Sequence, residues 1–201
     1  MHRISPAPPE RFAEVAEHME RWKKQKGYPP NSWLTMLRKP RVFRAYRELH
    51  SAVMMEDGEV PKGLKFMIAE VISMAAGDPY CAAHNAENAA HLGGVELAKI
   101  EALAQFRTNP LFTEAERAAL ELADAAGHSP SCVTDYHFDE LKKYYSEDAI
   151  VEIVGVLALL GWLNRWCTTF APELEPDAAA FAEKHLERSG WNAGVHRRGR
   201  E

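Results

Sequence analysis

Apolar positions recur at helical spacing along almost the whole chain. Phe12, Val15, Ala16, Met19 and Trp22 follow a 3.6-residue period and predict an amphipathic helix from Glu10 to about Lys24, closed by Gly27 and Pro29-Pro30. A short helix is expected over Asn31–Arg38 with Asn31 as its cap. Pro40 then opens a helix to about Met55, whose inner stripe reads Val42, Tyr46, Leu49 and Val53. Asp57-Gly58 marks a turn. Phe66 to Gly77 is almost wholly apolar with Glu70 as its only charge, inside a helix from about Lys62 to Ala76. Asp78-Pro79 is a helix start, Asp78 as N-cap and Pro79 at the first helical position, where a missing N–H costs nothing. Gly93-Gly94 ends that helix. The two helices meet at Gly77 with almost no loop, so a tight hairpin over about 62–92 is predicted.

The remaining pattern continues in the same period. A short helix covers Val95 to Phe106, and Asn109-Pro110 breaks the chain. Thr113 with Glu116 forms a capping box for a helix to Gly127, taken as its C′ glycine. Thr134 caps a helix to about Tyr144, and Ser146 caps the longest one, through the apolar run Ile153–Leu163 to about Thr169. A last amphipathic piece spans about Pro176 to Arg188. Residues 1–9 are Pro-rich and expected to be loose, and the polar tail from 189 to 201 is expected to be mobile. No alternating strand pattern and no dinucleotide- or phosphate-loop glycines occur. The fold class is all-α: one domain over 1–201, core about 30–175, with the 10–24 helix and the 189–201 tail as extensions.

Composition narrows the function. A net charge of -5 supplies no electrostatic footprint for nucleic acid or an anionic membrane. The 11-residue apolar run is short of the about 20 residues a membrane span needs, so a buried helix is expected. The N-terminal MHRISPAPPERF lacks the apolar stretch of a signal peptide. Three widely separated cysteines, Cys81, Cys132 and Cys167, form no recognised metal cluster and favour a reducing setting. A cytoplasmic protein without cofactor is the expectation. Trp22, Trp33, Met54, Met55, Trp162 and Trp166 add more apolar surface than one small core uses, which predicts a homo-oligomer.

The candidate chemistry lies in the hairpin. Cys81 falls in the first turn of the second helix, with His84, Asn88 and His91 at +3, +7 and +10 on the same face. The helix dipole favours a thiolate at Cys81 while the Asp78 carboxylate opposes it. His84 can hold or relay the thiol proton. Glu70, a lone acid in apolar surroundings, either pairs, faces a cavity, or carries a raised pKa. His91 could instead cap its helix. A metal site from Glu70, His84 and His91 matches no standard ligand spacing, so none is expected. Asn164 and Arg165, following an apolar run, suggest a buried hydrogen-bonded end or an oligomer contact.

These residues resemble a known family. Phe66–Ala69, Val71–Ser73 and Asp78-Pro79-Tyr80-Cys81-Ala82-Ala83-His84 are similar to the core of the carboxymuconolactone decarboxylase and alkylhydroperoxidase D-like superfamily. So are the Thr113–Ala126 helix and the stretch from Gly161 through Asn164-Arg165 to Ala171–Glu175. The resemblance implies an oligomeric all-α fold over about residues 30–175. Its peroxidase members share a Glu, eleven residues, a Cys-x-x-Cys pair and a nearby His. Cys81 stands at the second cysteine, Asp78 at the first, Phe66 at the Glu, His84 at a variant His position and Asn85 where others have their His. Tyr80, Asn85, Asn88, His91 and Arg165 are then relay or pocket candidates beside Cys81, His84 and Glu70, which lies one turn after Phe66. Cys132 or Cys167 could replace the missing cysteine only if its Cα came within ~7 Å of that of Cys81.

Three readings follow. In the first, Cys81 attacks a peroxide, Glu70 and His84 move the proton, and an external thiol reductant resolves the sulfenic acid. In the second, Glu70, His84, His91 and Arg165 perform acid–base chemistry of the carboxymuconolactone decarboxylase type on a small carboxylated lactone. In the third, the chain keeps the fold as a non-catalytic oligomer. The first is preferred, because the peroxide-attacking cysteine survives beside a histidine.

Overall fold

The computed structural model describes residues 3–8, 10–13, 15–197 and 199, and only the backbone of His18, Arg21, Trp22, Gln25 and Lys26. The expectation for Trp22 thus lies outside the described side chains. Among the described residues all regular structure is helical: α1 (Glu10–Ala13), α2 (Ala16–Lys26), α3 (Asn31–Met36), α4 (Pro40–His50), α5 (Lys62–Ala75), α6 (Pro79–His91), α7 (Leu97–Glu101), α8 (Glu114–Gly127), α9 (Asp135–Leu141), α10 (Glu147–Phe170) and α11 (Pro176–His185). A π-helical turn follows α4 over Ser51–Met55, and single 3-10 turns cover Leu103–Gln105, Glu187–Ser189 and Gly194–His196.

The expected hairpin is the hub. Every residue of α5 from Gly63 to Ser73 is buried, as is α6 from Tyr80 to Ala89. Gly77, at φ +70°, makes the join in a left-handed turn that few other residues adopt without strain. α8 and α10 pack along α5, and α10 also reaches α6. Gly127 is the last residue of α8 rather than a C′ glycine, because α8 ends against α5. A Cβ there would sit 2.5 Å from the Ala75 Cβ and 2.8 Å from the Ile72 carbonyl oxygen. The capping box predicted at Thr113 and Glu116 is present, and Ser146 caps α10. By length and composition α10 could cross a membrane; half of its apolar window is buried here against the other helices.

Several expectations are corrected. The 10–24 helix is two pieces. Asn31 does not cap α3; it sits in the first turn, and its side-chain amide donates to the Glu173 carbonyl at 2.9 Å. α4 is rotated by one residue: Phe43, Tyr46 and His50 face inward, while Val42 and Leu49 are exposed. Both phases place apolar residues inside, and the larger aromatic volumes take the core. The π turn then carries Met54 inward. The tail from 189 is packed up to His196, which is wholly buried. Its Nδ1 donates to the Pro172 carbonyl at 2.7 Å, and the Trp191 indole N–H donates to the Pro79 carbonyl at 2.9 Å.

Candidate active site: a buried thiol pair

Asp78 starts α6 as predicted: one carboxylate oxygen accepts the backbone N–H groups of Tyr80 at 3.1 Å and Cys81 at 3.3 Å. This fixes the first turn and points Cys81 at the end of α10. There, the Ser73 hydroxyl donates to the Asn164 side-chain carbonyl at 2.9 Å and holds the register of α10 on α5. Cys167 lies three residues further on. Its Sγ is 3.7 Å from that of Cys81, and both residues are buried. The sequence motif lost its first cysteine; the fold supplies a second thiol from another helix.

Both thiols line a cavity of about 50 Å³ walled by Trp33, Tyr46, Arg47, His50, Tyr80, His84, Asn85, Asn88 and Leu163. Since one water needs about 10–15 Å³ of such space, the cavity holds a few waters or a very small molecule as it stands. The Arg47 guanidinium lies 4.6 Å from the Trp33 ring centroid and 5.8 Å from that of Tyr46. Burial and the Arg47 charge push His50 down to about 3, so it is neutral.

The acid of the site is Glu175. α10 closes at Ala171, whose φ of +49° turns the chain back while its N–H bonds the Cys167 carbonyl at 2.8 Å. The turn carries Glu175 over the start of α6. One carboxylate oxygen accepts the Tyr80 hydroxyl at 2.9 Å and the Asn31 N–H, and the other accepts His84 Nε2–H at 2.7 Å. The Tyr80 oxygen also accepts the Ser32 N–H at 3.1 Å. Burial works to raise the Glu175 pKa, but His84 and the Asn31 N–H outweigh it and hold the group below the usual carboxylate range. Burial and Glu175 push the Tyr80 phenol well up, so it stays a donor.

The thiols are not activated by their position. The hydrogen bond between the sulfurs, burial and the Asp78 carboxylate push Cys81 well above its ordinary value. Burial likewise raises Cys167. The expected help from the helix dipole is overcome, and Cys81 rests as a neutral thiol.

Of the predicted residues, Cys81, His84, Tyr80, Asn85 and Asn88 come together in this cavity. Asn85 donates from its amide to the Cys81 carbonyl at 2.8 Å. Glu70 does not line it. It is buried within α5, where burial alone raises its pKa to about 8. His91 is exposed, 4.0 Å from Glu87, in a separate depression between α6 and α11. Arg165 lies in another depression, beside Gly161 and His128. Cys132 is exposed. Sequence reasoning missed Glu175, Arg47, His50 and Trp33. For Glu175 the sequence signal is an acid in the stretch Pro172-Glu173-Leu174-Glu175 of the resemblance, and nothing marks it as the partner of His84. Asp78, Cys81 and Cys167 place one donor atom each within 4.8 Å of one another. Three donors fall one short of a closed structural zinc site.

The all-α fold has known counterparts. The model of the carboxymuconolactone decarboxylase family matches residues 40–125. The structure of the debrominase Bmp8 superposes with a TM-score of 0.82 at 32% identity, over 90% of this chain and 96% of that one. A cysteine-to-alanine variant of Bmp8 in complex with 2,3,4-tribromopyrrole gives a TM-score of 0.83 at the same identity and coverage. A peroxidase-related protein with an AhpD core from Ralstonia eutropha JMP134 shares the fold, with a TM-score of 0.77 at 24% identity over 90% of this chain and 97% of that one. The uncharacterized protein YnjA of Escherichia coli (strain K12) is 36% identical over 61 residues, 30% of this chain and about a third (34%) of YnjA's own length. The chain belongs to the carboxymuconolactone decarboxylase family, whose model it matches over residues 40–125, and it shares the all-α fold of the AhpD-core protein.

Proposed function

We propose that the protein is a dithiol-dependent reductase of a small electrophile, with Cys81 as nucleophile and Cys167 as resolving thiol. The observation that carries this reading is the 3.7 Å contact of the two buried sulfurs on the cavity wall. It revises the expectation of a single working cysteine and leaves the outside thiol one task, reduction of the disulfide. With a hydroperoxide, the Cys81 sulfur bonds the outer oxygen as the O–O bond breaks, and the alkoxide leaves as alcohol after taking the thiol proton. Cys167 then attacks the Cys81 sulfur; the S–S bond forms and water departs. The hydrogen bonds of Tyr80 and His84 to Glu175 fix two side chains of the cavity wall beside the thiols.

A second substrate class follows from the similarity to Bmp8. With a brominated heteroaromatic, the Cys81 sulfur takes the bromine as the C–Br bond breaks and the ring carbon takes the proton; Cys167 then displaces bromide. Trp33, Tyr46 and Tyr80 line the cavity, which has to widen to admit such a ring. Both routes end at the same disulfide. The exposed apolar face of α10 (Val151, Val154 and Trp162) is the surface for self-association in this reading.

The test supplies reduced protein with tert-butyl hydroperoxide or 2,3,4-tribromopyrrole and follows substrate loss and intact mass. Cys81→Ser is expected to abolish turnover. Cys167→Ser should consume about one equivalent and stop, with Cys81 left as sulfenic acid or as a mixed disulfide. Unimpaired turnover in Cys81→Ser would exclude the thiol mechanism and favour acid–base chemistry at His84 and Glu175.

A further inference from the structure

Because Cys81 rests as a thiol, its attack needs an acceptor for one proton as the new bond to sulfur forms. We propose that Asp78 is this acceptor, a catalytic residue serving both thiols as well as the cap of α6. The inference rests on the dithiol reading above. Asp78 is fully buried, and one of its oxygens caps the helix. Its other oxygen, Oδ2, has no hydrogen-bond partner among the described residues. A buried acceptor without a partner costs about 1–3 kcal/mol, and a serine would cap the helix without that cost. The same carboxylate lies within 4.8 Å of both sulfurs, and those three donor atoms are mutually that close. Among the described residues no other carboxylate groups with both thiols, and Glu175 is engaged by His84, Tyr80 and Asn31.

The groups facing Asp78 come from three elements. Cys81 stands on α6, Cys167 on α10, and His196 in the 3-10 turn Gly194–His196, its Nε2 3.7 Å from Asp78 Oδ1. Because the Nδ1 of His196 is bound to the Pro172 carbonyl, the ring is fixed with Nε2 toward the carboxylate. His196 thus borders the Asp78 carboxylate from the C-terminal turn.

The proton balance is closed. Asp78 takes the Cys81 thiol proton as sulfur bonds the peroxide oxygen, and returns it to the leaving alkoxide. It then takes the Cys167 proton as the disulfide forms, and returns it to the departing hydroxide as water. Two thiols are oxidised, one peroxide is reduced, and Asp78 ends as it began. Burial raises Asp78 to about 6, although the Cys81 hydrogen bonds pull it down. An acceptor nearer neutrality suits proton transfer at pH 7.

The alternative role has the opposite sign. If Asp78 were only a fixed negative charge, its removal would lower the Cys81 pKa and speed the reaction. The experiment uses full-length protein carrying Cys132→Ser, reduced, with hydrogen peroxide as probe. It measures the rate of Cys81–Cys167 disulfide formation by intact mass from pH 4.5 to 9. With Asp78 present, the rate is expected to rise through an inflection near pH 6 and level off through neutrality. Asp78→Asn, which caps a helix equally well, should be at least ~100-fold slower at pH 7, with no inflection and a steady climb toward high pH. In Asp78→Ser, added formate should restore a rate that rises with formate concentration; this arm stands if the asparagine variant misfolds. An equal or faster rate in Asp78→Asn with an unchanged profile, or an undiminished rate in Asp78→Ser, overturns Asp78 as acceptor and leaves the dithiol reading standing. Absence of any disulfide in the parent protein at every pH overturns both.

Discussion

Glu70 and Glu175 show at the level of single residues how the same side chain acquires opposite roles. Glu175 is buried with three donors around its two oxygens and is held ionised. Its depressed folded pKa contributes stability above the unfolded value of about 4.3, lost as pH falls through the folded value. Glu70 is buried with its pKa raised to about 8 by burial. Its raised value favours the fold below about pH 4.3, and that contribution fades as pH rises toward 8. Glu175→Gln is therefore expected to destabilise by about 1–3 kcal/mol at pH 7, and by progressively less as pH falls below about 4.3. Glu70→Gln should stabilise progressively between pH 5 and 8, by up to about 1.4 kcal/mol per pH unit, and be neutral at pH 4. Urea unfolding of both variants at the two ends of this range checks the signs. The sequence made Cys81 and His84 legible because a helix start and a three-residue step are local. The acid was misplaced because the His84–Glu175 contact crosses 91 residues, and periodicity says which face a residue takes but not which neighbour meets it.

Helices were legible wherever caps and apolar period agreed. Asp78-Pro79, Thr113 with Glu116, and Ser146 each sit where their side chains predict. α4 was misread by one residue because Val42 beside Phe43 and Leu49 beside His50 leave two workable phases. α10 shows what remains outside the fold. Its residues Val151, Val154 and Trp162 are 69%, 39% and 40% exposed, and Trp162 stacks on Tyr46 of α4 at 5.5 Å between ring centroids. A second copy covering this face would remove an unusually apolar stripe from water. Light scattering is expected to give a multiple of the monomer mass, and Val151→Glu with Val154→Glu a monomer. A monomeric profile for the unaltered chain would remove α10 as an association surface.

For the whole molecule, the site is assembled from six parts: α3, α4, α6, the end of α10, the Glu175 turn and the C-terminal 3-10 turn. Composition and period suggested a mobile tail because Trp191 and His196 are isolated in polar sequence. Their hydrogen bonds to the Pro79 and Pro172 carbonyls hold them in place instead, and such partners leave no trace in periodicity.

The sulfur pair has a mechanical consequence. Shortening its 3.7 Å separation to the about 2.05 Å of a disulfide would tie two helices across 86 residues of sequence. Loop closure of that length removes about 4.5 kcal/mol of disorder from the unfolded chain, so the oxidised protein should melt on the order of 10 °C above the reduced one. Calorimetry on the two forms, with Cys167→Ser as the variant that shows no such difference, reads this directly. A working enzyme would then alternate between a softer and a harder body in each cycle, and its reductant would always have to act on the harder one.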